Sequence, residues 1–212
     1  MSRPRLLDLF CCQGGASAGY VLAGFEVVGV DIDPQPRYPF TFVQGDALAY
    51  LDEHGGEFDA VHASPPCQGY SNAQRIQGHE HPMLIEAVRE RLDMLGKPYV
   101  IENVPGAPLK APAELCGGMF GLRTYRHRLF ESNAGLVAPE HVQHLVGQVK
   151  MGRPLREGDY YQAVGNFSNV PYVRADMGVP WMSRDGIRES IPPVYAHYVG
   201  GFLLEALEDG CE

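Results

Sequence analysis

The stretch "RLLDLFCCQGGASAGYVLAGFEVVGVDID" occupies residues 5–33. Its first apolar run, 5–10, ends in a Gly-rich turn. "ASAGYVLAGF" then reads as a short helix, with Gly24 as its stop. "EVVGVDID" is a second strand that closes on acids. Further along, "FTFVQGDALAYL" predicts a third strand, a turn at Gly45-Asp46 and a short helix. "FDAVHASPP" (58–66) is a fourth strand, halted by two prolines that can neither continue a helix nor pair inside a sheet. The polar, aperiodic "QGYSNAQRIQGHEH" is a loop. "PMLIEAVRERLDMLG" is a helix: Met83, Leu84, Ala87, Val88, Leu92 and Leu95 share one face, Pro82 suits the first turn and Gly96 the cap. "PYVIENV" (98–104) is a fifth strand. Alternating strands and helices predict an α/β fold, doubly wound, with a largely parallel sheet covered on both faces.

The 212 residues suffice for one sizeable core, and 45% hydrophobic with 20% charged is ordinary for a globular chain. No apolar run approaches the roughly 20 residues of a membrane span. "MSRPRLLDLF" lacks a long apolar core and a cleavage site, so the chain reads as mature from its start and the expected location is cytoplasmic. The five cysteines, an odd count without regular spacing, argue against a disulfide framework. Without a Cys-x-x-Cys pair, no metal is expected. His79 and His81 read as exposed loop histidines. The net charge of −9 does not announce a nucleic-acid binder, although Arg123, Arg126, Arg128, Lys150, Arg153, Arg156, Arg174, Arg184 and Arg188 fall late in the chain.

Three regions are expected: an α/β domain over 1–132, a small irregular insertion over 133–178, and a segment over 179–212 that returns to the domain. The insertion has glycines, aromatics and arginines but no clear period. "IPPVYAHYVGGFLLEALE" reads as a Pro-started apolar helix docking on the sheet.

In such sheets, ligands bind at the carboxyl ends of strands. The turn at Gly14-Gly15, Asp31, Asp46, Cys67 and Glu102-Asn103 all fall at those ends and are expected to meet on one rim. "QGGASAG" is not G-x-G-x-x-G, which weakens a dinucleotide reading. Asp31 lies where an acid accepts from ribose hydroxyls, and Asp46 suits an adenine amino group. For Cys67 alone, burial, metal binding, disulfide formation and nucleophilic attack all stay open. A thiolate with Glu102 and the arginines of "YRHRLF" fits attack on an electron-poor ring. Arg126 and Arg128, two apart, are expected on the same side of an extended segment.

In order along most of the chain, "DLFCCQGG", "VDID", "GDA", "SPPCQGYS", "ENVPG", "YRHRLF" and "RESIPPVYAHYVGGFL" resemble the motifs of the cytosine-5 DNA methyltransferase family. Each alone is weak; the ordered series is specific. The resemblance implies a sheet of the S-adenosylmethionine-dependent methyltransferase type. It implies that Cys67 attacks C6 of a cytosine flipped out of duplex DNA, that Glu102 holds the base, and that Arg128 contacts it with Arg126 assisting. Phe10, Gly14, Gly15, Asp31, Ile32, Asp46, Pro65 and Ser190 are then expected at the S-adenosylmethionine site, and Gln68, Ser71 and Asn103 at the substrate. Cys12 stands where the family usually has glycine, and a positive φ there implies strain. "RES" replaces a common Gly-Asn-Ser, so Glu189 changes the charge near the donor.

The short insertion implies a short recognition sequence, low specificity or a partner subunit for target recognition. Tyr160, Tyr161, Phe167 and the arginines are candidates there for groove and phosphate contacts, against the alternative of a structural cap. Rival readings are the same chemistry on RNA or a free cytosine nucleotide, a non-catalytic nucleic-acid-binding module, and a dinucleotide oxidoreductase.

Overall fold

The computed structural model describes residues 2–66, 84–149 and 153–210. Among these residues, seven strands form one sheet: β1 (Arg5–Leu9), β2 (Glu26–Asp31), β3 (Thr41–Gln44), β4 (Ala60–Ala63), β5 (Tyr99–Asn103), β6 (Ala113–Leu115) and β7 (Arg128–Ser132). Their order is β3-β2-β1-β4-β5-β7-β6. The first five are parallel, while β7 runs antiparallel to both β5 and β6. The expectation of a largely parallel sheet holds. The antiparallel β6–β7 edge was not anticipated.

Among the described residues, six α-helices accompany the sheet: α1 (Gly15–Ala23), α2 (Ala47–His54), α3 (Ile85–Leu95), α4 (Val170–Met177), α5 (Arg184–Glu189) and α6 (Pro193–Asp209). Gly24 and Gly96 end α1 and α3 in the left-handed conformation expected of glycine caps. Pro82 and Met83 lie outside the described residues. Alternate residues of each strand feed two cores. Leu6, Val27, Ala60 and Val100 pack with Tyr20 of α1 and Tyr195, Val199 and Leu203 of α6. Leu7, Leu9, Val28, Val30, Val61 and Ile101 pack with Leu51 of α2 and Val88 and Leu92 of α3. This is the doubly wound cover that strands apolar on both faces require.

The C-terminal helix α6 docks against α1 as well as the sheet. At Gly19 a Cβ would stand 2.1 Å from the Pro193 carbonyl oxygen and 2.7 Å from the Ala196 Cβ. Only glycine lets the two helices approach this closely.

From residue 133 up to α4, the described residues are irregular. Leu155, Tyr161, Ala163, Phe167, Val173, Met177, Val179, Met182 and Ile187 form a small third core. Tyr161 is 1% and Phe167 7% exposed, so both belong to this core. Burial of their apolar area holds this region together. Tyr161 donates to Asp176 at 2.6 Å, which satisfies its hydroxyl.

The strand order reverses between β1 and β4: β1 leads outward to β2 and β3, and β4 to β5. A crevice therefore opens where the carboxyl ends of β1 and β4 diverge, the usual ligand position in open α/β sheets.

Candidate active site

The β1–α1 turn forms one lip of the crevice. Phe10 and Cys12 both have positive φ, 60° and 45°, beside Gly14 at 81°. Two non-glycine residues in the left-handed region cost on the order of 1 kcal/mol each. The turn holds because its amides are used. Cys11 N–H donates to the Val30 carbonyl at 3.1 Å, and Cys12 N–H to Asp31 Oδ2 at 2.9 Å. Asp31 also accepts from Asp33 N–H at 3.1 Å. It is thus a fixed, largely buried acid at the β2 end. The strain expected at Cys12 is present.

Opposite the turn lies the segment leading into α6. A Cβ on Gly15 would stand 2.5 Å from the Ile191 carbonyl oxygen and 2.8 Å from the Ser190 Cβ. Turn and closing segment are therefore in contact. Asp8, Phe10, Cys12, Ser64, Glu102 and Glu189 line a narrow cleft here with these residues. Ile32 projects at the rim with 63% of its surface exposed. Asp46 is exposed and caps α2, accepting from Ala49 N–H at 2.8 Å through Oδ1.

At the β4–β5 side, Glu102 is 6% exposed. Its Oε1 has no hydrogen-bond partner, although Arg128 Nε stands 3.1 Å away. The two form an ion pair by distance but not a directed hydrogen bond. Burial raises the Glu102 pKa, while Arg128 and a hydrogen bond from Ser64 oppose that rise. Behind Ser64 a buried chain continues. His62 Nε2 and Ser64 Oγ are 2.8 Å apart, as are Tyr20 hydroxyl and His62 Nδ1. Burial pushes His62 down to about 3, so the ring is neutral. With Tyr20 donating to Nδ1 and Nε2–H donating to Ser64, the Ser64 hydroxyl is left to donate to Glu102.

Asn103 is buried, and its amide donates to the Pro65 carbonyl at 2.9 Å. It ties the end of β4 to β5, so its side chain positions "SPP" rather than facing the opening. Cys67, Gln68, Ser71, His79 and His81 lie outside the described residues, as does Lys150.

Arg126 departs from the expected extended geometry. Its φ is 33°, and β7 begins only at Arg128. Its guanidinium is turned away into the protein, donating to the carbonyls of Ser190 at 2.9 Å, Arg188 at 2.7 Å and Ile187 at 3.1 Å. These bonds clamp the closing segment onto the rim. Arg128 instead stays partly exposed beside Glu102 and lines a second cleft of about 410 Å³ with Tyr125, His144, Gln148 and Gln162. Of the other late arginines, Arg153 pairs with Asp159, Arg188 with Asp185, and Arg174 donates to Met182.

Asp8 is the rim residue that sequence reasoning missed. It is 1% exposed in the middle of β1. Ser17 donates to its Oδ2, and its Oδ1 has no partner. Burial pushes its carboxyl up to about 7 against the Ser17 hydrogen bonds, and Asp31 and Glu102 push the same way. The available signal was an acid inside the apolar run "RLLDLF".

A raised carboxyl contributes stability below its unfolded pKa and loses it as pH rises through the folded value. Asp8→Asn is therefore expected to gain stability relative to the unchanged protein between pH 5 and pH 8, by on the order of 2 kcal/mol. Urea unfolding at both pH values reads this difference. Parallel pH profiles would show that Asp8 carries no such burden.

No protein-family profile matches the chain. The fold defines the class first: the sheet is of the S-adenosylmethionine-dependent methyltransferase type, as expected. It superposes on the Dnmt2 methyltransferase of S. pombe with TM-score 0.65 and 17% identity, covering 97% of this chain and 99% of that one. By sequence the chain is 33% identical over 124 residues to the type II methyltransferase M.XorII of Xanthomonas oryzae, a match spanning 50% of this chain and 29% of that protein. It is 29% identical over 120 residues to the type II methyltransferase M.FnuDI of Fusobacterium nucleatum, spanning 52% and 35%. The resemblance to the cytosine-5 DNA methyltransferase family is thus borne out. The matches cover only about a third of these two relatives' own length. Among the described residues, no helix is long and apolar enough to cross a membrane.

Proposed function

We propose that this chain transfers a methyl group from S-adenosylmethionine to C5 of cytosine in DNA, through a transient bond between Cys67 and the base. The observation that carries the reading is Glu102: a buried carboxyl at the carboxyl end of β5, with one oxygen unpartnered and Arg128 beside it. An orphaned buried acceptor is costly, and a ligand that supplies a donor relieves it.

The cleft suits the methyl donor. S-adenosylmethionine is a cation with an adenosine half. Asp8, with an unpartnered oxygen, and Glu189 supply carboxyl oxygens that can accept hydrogen bonds at the cleft. Asp31 at the β2 end and the exposed Ile32 suit the ribose and the adenine ring. When bound, the donor supplies an electrophilic methyl group on a sulfonium.

The chain's residues supply the rest. Cys67 adds through its sulfur to C6 of the cytosine, which pushes electron density toward C5 and N3. Glu102, whose protonated form burial favours, donates to N3 and accepts from the exocyclic amine, so charge arriving at N3 is neutralised. Arg128 holds the base and the Glu102 carboxyl in register. After transfer, a base takes the C5 proton, the C5–C6 double bond returns, and the Cys67–C6 bond breaks. Arg126 and Asn103 act as positioning residues.

The test offers isotope-labelled donor to duplex DNA, tRNA and dCMP in parallel, followed by mass spectrometry of the recovered bases. Label in DNA as 5-methylcytosine is the expected result. Label confined to tRNA or to dCMP would overturn the DNA substrate while keeping the chemistry, and no label in any of the three would overturn the activity itself.

A further inference from the structure

The β6–β7 hairpin sets two metal-binding side chains side by side at its open end. Leu115 pairs with Arg128, and the next residue on each strand in that register is Cys116 and His127. The chain after β7 brings back "HVQH", residues 141–144. His144 stacks on Tyr125 with centroids 3.6 Å apart and planes within 6°. The Tyr125 hydroxyl donates to the Val146 carbonyl at 2.5 Å. Val142 fills the space beside Gly118, where a Cβ would stand 2.8 Å from it. These contacts seat the returning segment on the hairpin.

Cys116 Sγ lies 3.2 Å from His144 Nε2, and His127 Nε2 lies 3.1 Å from His141 Nε2. The four ligand atoms all lie within 4.8 Å of one another. Tetrahedral zinc holds nitrogen at about 2.0–2.1 Å and sulfur at about 2.3 Å, which separates neighbouring ligand atoms by roughly 3.3–3.7 Å. Two pairs are already at about that spacing. The others close by side-chain rotation of His141 and His144, which are exposed.

We propose that Cys116, His127, His141 and His144 form a Cys-His₃ site for Zn²⁺ that ties residues 133–149 to the sheet edge beside Arg128. One thiol, three imidazoles and four-coordinate geometry select zinc over magnesium or calcium. Binding expels one proton, from the Cys116 thiol to solvent. Tyr125, His127 and His144 also line the cleft beside Arg128, so the metal would fix that wall.

Metal-ligand spacing in the sequence, C-x₁₀-H-x₁₃-H-x₂-H, matches no compact zinc motif. The expectation of no metal rested on the missing Cys-x-x-Cys pair, and the hairpin register supplies what that pair would have.

The full chain, produced with zinc and exchanged into metal-free buffer, should retain about 1 zinc per chain by elemental mass spectrometry. His141→Ala/His144→Ala removes two exposed ligands without opening a core, and zinc should fall below about 0.2 per chain. Cys116→Ser should do the same, and in the cobalt-loaded protein it should abolish the sulfur-to-metal charge-transfer band. His79→Ala/His81→Ala should leave zinc unchanged. Absence of retained zinc in the unchanged protein would overturn the site. So would retention by the His141/His144 variant with loss from the His79/His81 variant.

Discussion

Replacing Cys67 by serine is expected to abolish the covalent adduct with duplex DNA containing 5-fluorocytosine and to lower methyl transfer by at least about 10³-fold. On the proposed mechanism, Cys67 of the unchanged protein adds to C6 and the methyl group arrives at C5. Fluorine cannot leave C5 as a proton does, so the double bond cannot re-form and the sulfur stays attached. A shifted band on a denaturing gel reads this directly, and only with donor present. A serine hydroxyl is a far weaker nucleophile near neutral pH, because its anion is scarcely populated. The consequence is specific to the addition step, so donor binding to the serine variant, measured by calorimetry, should change less than about 3-fold. An adduct that survives the serine change would remove Cys67 from the reaction. Loss of donor affinity along with the adduct would instead mean that "SPPC" supports the donor pocket. Asn103 makes that alternative concrete, since it already fastens the Pro65 carbonyl to β5.

Much of the fold was legible because it rests on periodicity and punctuation. Gly24, Gly45-Asp46 and Gly96 each end or start an element where expected, and β1 to β5 follow their apolar runs. What was not legible depends on register between distant segments. "AEL" at Ala113–Leu115 is too short to announce a strand, yet it pairs with β7 and so builds the hairpin that places Cys116 next to His127. Arg126 and Arg128 look equivalent as sequence. The positive φ of Arg126 turns one guanidinium inward onto backbone carbonyls and leaves the other beside Glu102. Tyr161 and Phe167 read as surface aromatics because their burial comes from packing with residues as far on as Ile187. Cys67 and its loop were read from motif alone, and their part of the site stands on the sequence.

Glu102→Gln is expected to slow methyl transfer by roughly 10²–10³-fold, the usual loss when one preorganised hydrogen-bond partner of a developing charge is removed. Glutamine keeps the shape and can still donate to N3. It cannot pass a proton there, and it leaves Arg128 without its counter-charge. Both defects act on the step in which Cys67 adds, because that step moves electron density into the ring. Exchange of the cytosine C5 hydrogen with solvent reports the addition step, and it should fall along with transfer. The 5-fluorocytosine adduct should still form, but slowly. That pattern separates Glu102 from Cys67, whose loss leaves no adduct at any time. The chain Tyr20–His62–Ser64 supplies an independent check. Each link is 2.8 Å or a side-chain hydrogen bond, and it ends on Glu102. On the proposed reading it fixes one carboxyl oxygen and leaves the other, Oε1, which has no hydrogen-bond partner, for the base. If Glu102→Gln left hydrogen exchange and transfer unchanged, the carboxyl would be a buried partner of Arg128 alone, and the base would have to be held elsewhere.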